Sequence, residues 1–174
     1  MKRLLIIGVV GFGLVGCVSA EQQRSYNNPM KSYSEIVDIP GKTKDQIYDQ
    51  SRQWIAKSFK SSNNVIQYSN AESGTIIGKG NMPFPCKGYI ECSAYANSNI
   101  NFTLTIDVKD NKSRMSFNDL GIYMPPSISG GVKFNGGDNL PIWQDKHKPL
   151  VEDGLKEIIQ DYKKSITNSN SQNW

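Results

Sequence analysis

Apolar and polar residues alternate without a break across Ile100, Phe102, Leu104, Ile106 and Val108 against Asn101, Thr103, Thr105 and Asp107. A period of two over this length predicts a β-strand with one face in the core. The polar face must meet water, so the sheet is expected to be antiparallel and covered on one side only. After the Lys109-Asp110-Asn111-Lys112 turn the same phase continues in Met115 and Phe117, then switches at Leu120 and Ile122. That switch predicts a bulge near Asn118-Asp119. Upstream, Tyr33, Val37 and Ile39 share one face of a strand that Pro40-Gly41 stops. Val65 to Ser69 and Thr75 to Met82 flank Asn70-Ala71-Glu72-Ser73-Gly74, whose turn chemistry predicts a hairpin. Gly78-Lys79-Gly80 lacks the spacing and the following helix of a phosphate loop, and is expected to mark a bend or bulge.

Two segments follow the helical period instead. Thr43-Lys44-Asp45-Gln46 has the form of a capping box, and Ile47, Ser51, Trp54, Ile55 and Phe59 then fall on one stripe, with an end expected near Ser61-Ser62-Asn63-Asn64. Trp54, lying on that stripe, belongs to the core rather than to a ligand site. The last helix carries Val151, Leu155, Ile158, Ile159, Tyr162 and Ile166, with Pro149 near its first turn and Gly154 weakening it slightly. The expected fold is therefore α+β: a curved antiparallel sheet of about five strands with two helices packed on one face, in the order β-α-β-β-β-β-α.

This order, the helix after Asp38-Ile39-Pro40-Gly41-Lys42 with Trp54-Ile55-Ala56 and Phe59, and the strand Ile76-Ile77-Gly78-Lys79-Gly80 resemble a bacterial family of unknown function described as having a TATA-binding-protein-like (TBP-like) fold. The resemblance covers residues 33 to 120 well and the final helix more loosely. It implies a fold and an exported location, and carries over no catalytic or binding residue. A segment between Gly121 and Trp143 departs from the compact pattern.

Lys2 and Arg3, an apolar stretch from Leu4 to Val15, and Leu14-Val15-Gly16-Cys17 have the form of a lipoprotein signal peptide over 1–16. Twelve apolar residues are too few to span a bilayer, which takes about 20. An ordinary secretory signal cut after Ala20 is the alternative. On the lipoprotein reading Cys17 is the lipidation site, and multiple acyl chains such as palmitate anchor the protein on the membrane. Similarity to Gram-negative lipoproteins, with Val18 where an aspartate would retain the protein in the inner membrane, implies the outer membrane, facing the periplasm. Residues 17–31 are then lipidated cysteine and flexible tether, spanning on the order of 20 Å. The single domain occupies 32–166, and 167–174 is a disordered tail.

Without Lys2 and Arg3 the 20 basic and 16 acidic residues become 18 and 16, a formal charge of +2. No basic run is present, so nucleic acid is not expected as a partner. Cys86 and Cys92 remain in an exported chain, where oxidising conditions favour a disulfide. Their spacing does not match thioredoxin-like or zinc-knuckle pairs, although a redox pair or two zinc ligands stay open as alternatives. No cofactor or metal is expected.

Candidate chemistry is sparse. The 121–143 segment mixes loop formers with Tyr123, Met124, Phe134 and Trp143, a candidate partner surface unless these side chains fold back over the sheet. His147, the sole histidine, lies in a polar stretch and is expected at the exposed surface. Asp107, Asp119, Asp145 and Asp153 cannot be paired by spacing into acid and base. The expected function is a non-enzymatic binding or adaptor domain on a lipid-anchored envelope protein with an envelope protein or small envelope component as partner. A periplasmic hydrolase using His147 and a carrier of a hydrophobic ligand are the alternatives.

Overall fold

The computed structural model describes residues 28–59, 66–129 and 131–168, apart from the side chains of 129, 132 and 134. The signal peptide, Cys17, most of the tether, Val65 and residues 169–174 lie outside the described residues. Strands β1 (Tyr33–Asp38), β2 (Ile66–Asn70), β3 (Thr75–Pro83), β4 (Asn99–Lys109) and β5 (Lys112–Met124) form an antiparallel sheet in the order β1-β5-β4-β3-β2. The fold is α+β. Helices α1 (Lys44–Ser58) and α3 (Lys148–Asn168) cover one face, and a short α2 (Tyr89–Ala94) lies between β3 and β4. β6 (Ser127–Ser129) and β7 (Val132–Phe134) pair with each other, while β8 (Gly137–Leu140) adds to β5.

The alternation in β4 sorts side chains as its sequence requires. Ile100, Phe102, Leu104, Ile106 and Val108 are buried, and Asn101, Thr103, Thr105 and Asp107 are not. Ile76, Met115, Phe117, Ile47, Leu155 and Tyr162 join them in the core, each large aliphatic contributing about 1.5–3 kcal/mol through burial. The phase switch in β5 is a bulge: Asn101 faces Gly121 and Thr103 faces Asn118, so Phe102 alone meets two residues of β5, one of them Asp119 at φ +54°. Leu120 and Ile122 thereby return to the core.

At α1, Thr43 accepts from the Gln46 amide at 3.3 Å and Gln46 Oε1 accepts from the Thr43 amide at 3.0 Å, completing the capping box. Trp54 is buried between Phe59 and Tyr162, ring edges meeting faces at 5.5 and 5.1 Å, and its Nε1 donates to Asp161 at 2.8 Å. Buried Ser51 and Tyr162 share a 2.9 Å hydrogen bond that ties α1 to α3. Lys42 closes the other end: its Nζ donates to the Ile166 carbonyl at 2.5 Å and to Gln50 at 2.8 Å. A cation on the last carbonyls of α3 suits the negative end of the helix.

Several expectations are corrected. Gly78-Lys79-Gly80 carries no bulge against β4, since β3 pairs with β4 in unbroken register from Thr75 to Pro83. Glycine serves close packing instead: a Cβ on Gly80 would stand 2.5 Å from the Phe102 ring. The hairpin's irregularity falls in β2, between Ile66 and Tyr68. The loop around the cysteines contains α2, and the 121–143 segment contains three strands. Helix α3 extends to Asn168, two residues into the expected tail. At the other end Met30 donates to the Ile142 carbonyl at 2.9 Å and Lys31 accepts from Leu120 at 3.1 Å, so main-chain pairing begins before β1.

Candidate functional site

The uncovered face of the sheet presents the other half of each alternating pattern. Ile77, Lys79 and Asn81 of β3 stand across from Thr105, Thr103 and Asn101 of β4, which in turn face Ser116, Asn118 and Gly121 of β5. Toward one end of this face a cleft of about 650 Å³ is lined by Lys79, Asn81, Asn101, Thr103, Asp119, Asp138 and Asn139, with Phe102 and Leu120 in its floor. Two consequences of the sequence build it. The bulge places Asp119 within reach of Thr103, whose hydroxyl donates to Asp119 Oδ2 at 2.9 Å. Across the cleft β8 brings Asp138, which accepts from Asn101 Nδ2 at 3.1 Å and from the Asn139 amide at 2.9 Å. β8 can sit there because position 121 is glycine: a Cβ would lie 2.7 Å from Asn139 Cα.

The cleft mixes donors from Lys79, Asn81, Asn101 and Asn139 with the carboxylates of Asp119 and Asp138. Such a set matches groups that both donate and accept, namely hydroxyls and amides. Its carboxylates oppose a polyanion, and its polar walls oppose an acyl chain. Farther along the same face Asp107 accepts from Arg114 at 2.8 Å and from Thr75 at 3.0 Å, at the surface.

A second centre lies where the β3–β4 connection meets the start of α3. Cys86 and Cys92 are joined in a disulfide. Phe84 and Tyr95 stack at 4.0 Å, and the His147 ring stands edge-on to both at 5.0 and 5.4 Å. His147 is 1% exposed, which corrects the expectation of a surface histidine. Its Nε2 lies 3.1 Å from Glu91 Oε1, an oxygen that also accepts from Lys146 at 2.6 Å, while Glu91 Oε2 accepts from the Lys87 amide at 2.9 Å. The Lys146 ammonium, then the Lys87 amide and His147, hold the Glu91 carboxyl down to about 2. Both cysteines near this histidine are joined in the disulfide and are not free thiols. The corner is a packed joint, and its sequence partners lie too far apart in the chain for a local pattern to announce them.

The candidate partner residues are dispersed. Tyr123, 37% exposed, faces Asn99 on the open side of the sheet, and its neighbour Met124 packs half-buried against the core. Trp143 is 36% exposed beside fully buried Ile142. Phe134 belongs to β7, with a side chain outside the description. Sequence reasoning weighed Asp119 only as an unpaired carboxylate, marked Asn101 and Thr103 only as a solvated face, and passed over Lys79, Asn81, Asp138 and Asn139, which reach the cleft from other strands.

A groove of about 680 Å³ between α1, α3 and the end of β3 is lined by Trp54, Phe59, Met82, Phe84, Ile158 and Asp161, among others. Among the described residues no group of three or more His, Cys, Asp or Glu side chains is placed to hold a metal ion, and no helix is long and apolar enough to cross a membrane.

A family model described as a domain of unknown function (DUF4468) with TBP-like fold matches residues 33–123. The crystal structure of a DUF4468 family protein from Bacteroides ovatus superposes with a TM-score of 0.54 at 16% identity, covering 82% of this chain and 89% of that one. A TBP-like protein from Parabacteroides distasonis gives 0.58 at 18% identity, with 80% and 97% covered. No curated protein matches the chain.

Proposed function

The chain belongs to the family of domains of unknown function with a TBP-like fold (DUF4468), and from that premise we propose that it is a non-enzymatic binding protein whose ligand occupies the polar cleft of the open sheet face. The observation that carries this is the cleft's composition: amide, hydroxyl, ammonium and carboxylate groups converge from β3, β4, the β5 bulge and β8. The ligand class that fits is neutral and rich in hydroxyls and amides, as in envelope glycans built from N-acetylated sugars. Duplex nucleic acid fits poorly, because Asp119 and Asp138 would face its phosphates. The 121–143 segment contributes through β8, which forms one wall.

Location belongs to the same proposal. The Leu14-Val15-Gly16-Cys17 run supports acylation at Cys17 and attachment to the bacterial envelope, with the domain in the periplasm and the outer membrane as its anchor. The hydrolase alternative loses support from His147, which is buried among Phe84, Tyr95 and Glu91.

Binding of soluble oligosaccharides of N-acetylated sugars to the chain and to a variant carrying Asn101→Ala and Asp138→Ala tests the cleft. Saturable binding that falls at least tenfold in the variant, with an unchanged unfolding midpoint, is expected. Equal binding by both proteins, or none by either across the panel, would exclude the assignment. Fractionation of wild type beside Cys17→Ser tests the address: the wild type should stay with membranes and the variant should not.

A further inference from the structure

Tyr89 and Ile90 are 89% and 85% exposed, on the first turn of α2. They do not stand on a loose loop. The Cys86–Cys92 disulfide closes the segment beneath them, Cys92 N donates to the Gly88 carbonyl at 3.1 Å, and Glu91 ties it to Lys87, Lys146 and His147. An aromatic and an aliphatic side chain are thus held in water by a covalently and electrostatically braced base. Apolar side chains held exposed together on a rigid base are what an interaction surface presents.

The position of the chain outside the described residues points to the partner. Met30 pairs with Ile142, and Gln144 and Lys146, two and four residues on, line one surface with Lys87, Tyr89 and Ile90. The N-terminal segment therefore joins the domain beside this knuckle. Met30 lies thirteen residues on from Cys17, so a lipid on Cys17 confines Met30 to within about 45 Å of the bilayer surface, even with the connecting chain fully extended. We infer that the Tyr89–Ile90 knuckle inserts into the bilayer interface and orients the domain, with Lys87 and Lys146 at headgroup level and Trp143 close by in the chain. Tyrosine and tryptophan suit the boundary between acyl chains and water, isoleucine the acyl side, and lysine the headgroups. The open sheet cleft is then presented by a second contact besides the tether. This inference rests on the lipoprotein reading for its geometry.

The test uses the full chain, purified from membranes and reconstituted in phosphatidylethanolamine–phosphatidylglycerol vesicles. A fluorescent amino acid replaces exposed Ile90 or, as control, Lys109 at the β4–β5 turn, and brominated acyl chains serve as quenchers. Quenching at position 90 at least twice that at 109, and reduced by an added Tyr89→Ser, is expected. A chain that floats with the vesicles but is quenched equally little at both positions overturns the docking while leaving the anchor intact. A spectral shift at 90 that brominated lipid does not quench assigns the knuckle to a protein surface and also overturns it. If intact mass finds no lipid on Cys17, the anchor reading fails. The Cys17→Ser chain added to the same vesicles then decides: quenching at 90 supports docking, and none ends it.

Discussion

On the open sheet face the polar side chains hold one another through hydrogen bonds at the surface, and the core beneath them is filled by residues of the opposite phase. At the disulfide corner the exposed pair Tyr89 and Ile90 stands on a buried joint of Phe84, Tyr95 and His147, braced by Glu91 and Lys146. The difference separates what a residue does for the fold from what it offers a ligand. Polar groups in the cleft are available because the fold does not depend on them, whereas His147 is unavailable because the fold does.

The largest expected effect is therefore at the corner. His147→Ala should destabilise by about 3 kcal/mol, the range of buried large-to-small changes, measured by urea unfolding. A loss below about 1 kcal/mol would erase the contrast with the open face. Replacing both Cys86 and Cys92 by alanine should cost about 2 kcal/mol from loop entropy alone, seen as a lower urea midpoint with an intact far-UV spectrum. An unchanged midpoint would show that the base is braced by packing without the covalent link.

A pH series sharpens the comparison. The Glu91 carboxyl is held down to about 2 by Lys146, the Lys87 amide and His147, below its ordinary value of about 4.3. A depressed acid stabilises the fold above its unfolded pKa, and that contribution fades as pH falls from about 4.5 toward 2. Thermal midpoints should drop across this window in wild type and less steeply in Glu91→Gln. Parallel slopes would mean that Glu91 does not couple to folding. The smallest effects belong to the cleft: Thr103→Ala and Asp138→Ala should each change stability by no more than about 0.5 kcal/mol. A loss above about 1.5 kcal/mol in differential scanning calorimetry would make these residues structural.

The same contrast explains what was legible in the sequence. Thr43 and Gln46 announce α1 because a capping box lies within four residues, and Ile100 to Val108 announces β4 because period two is a local signal. Even the bulge at Asp119 leaves a mark, since Leu120 and Ile122 change phase. The corner leaves only its cysteine pair, Cys86 and Cys92. Glu91 and His147 meet across 56 residues, and the flanking Asp145, Lys146 and Lys148 give the histidine a surface-like context. Likewise Asn101 meets Asp138 across 37 residues through a four-residue strand too short to show a period. Gly121 hints at the crowding β8 imposes, but only the assembled sheet says what crowds it.

The most direct test of the cleft as the binding surface is an amide chemical-shift map of the isotopically labelled chain titrated with oligosaccharides of N-acetylated sugars. Saturable shifts are expected at Lys79, Asn81, Asn101, Thr103, Asp119 and Asn139, with Tyr89 to Ala94 unmoved. Shifts confined to the disulfide corner or the α1–α3 groove, or none with any member of the panel, would contradict it.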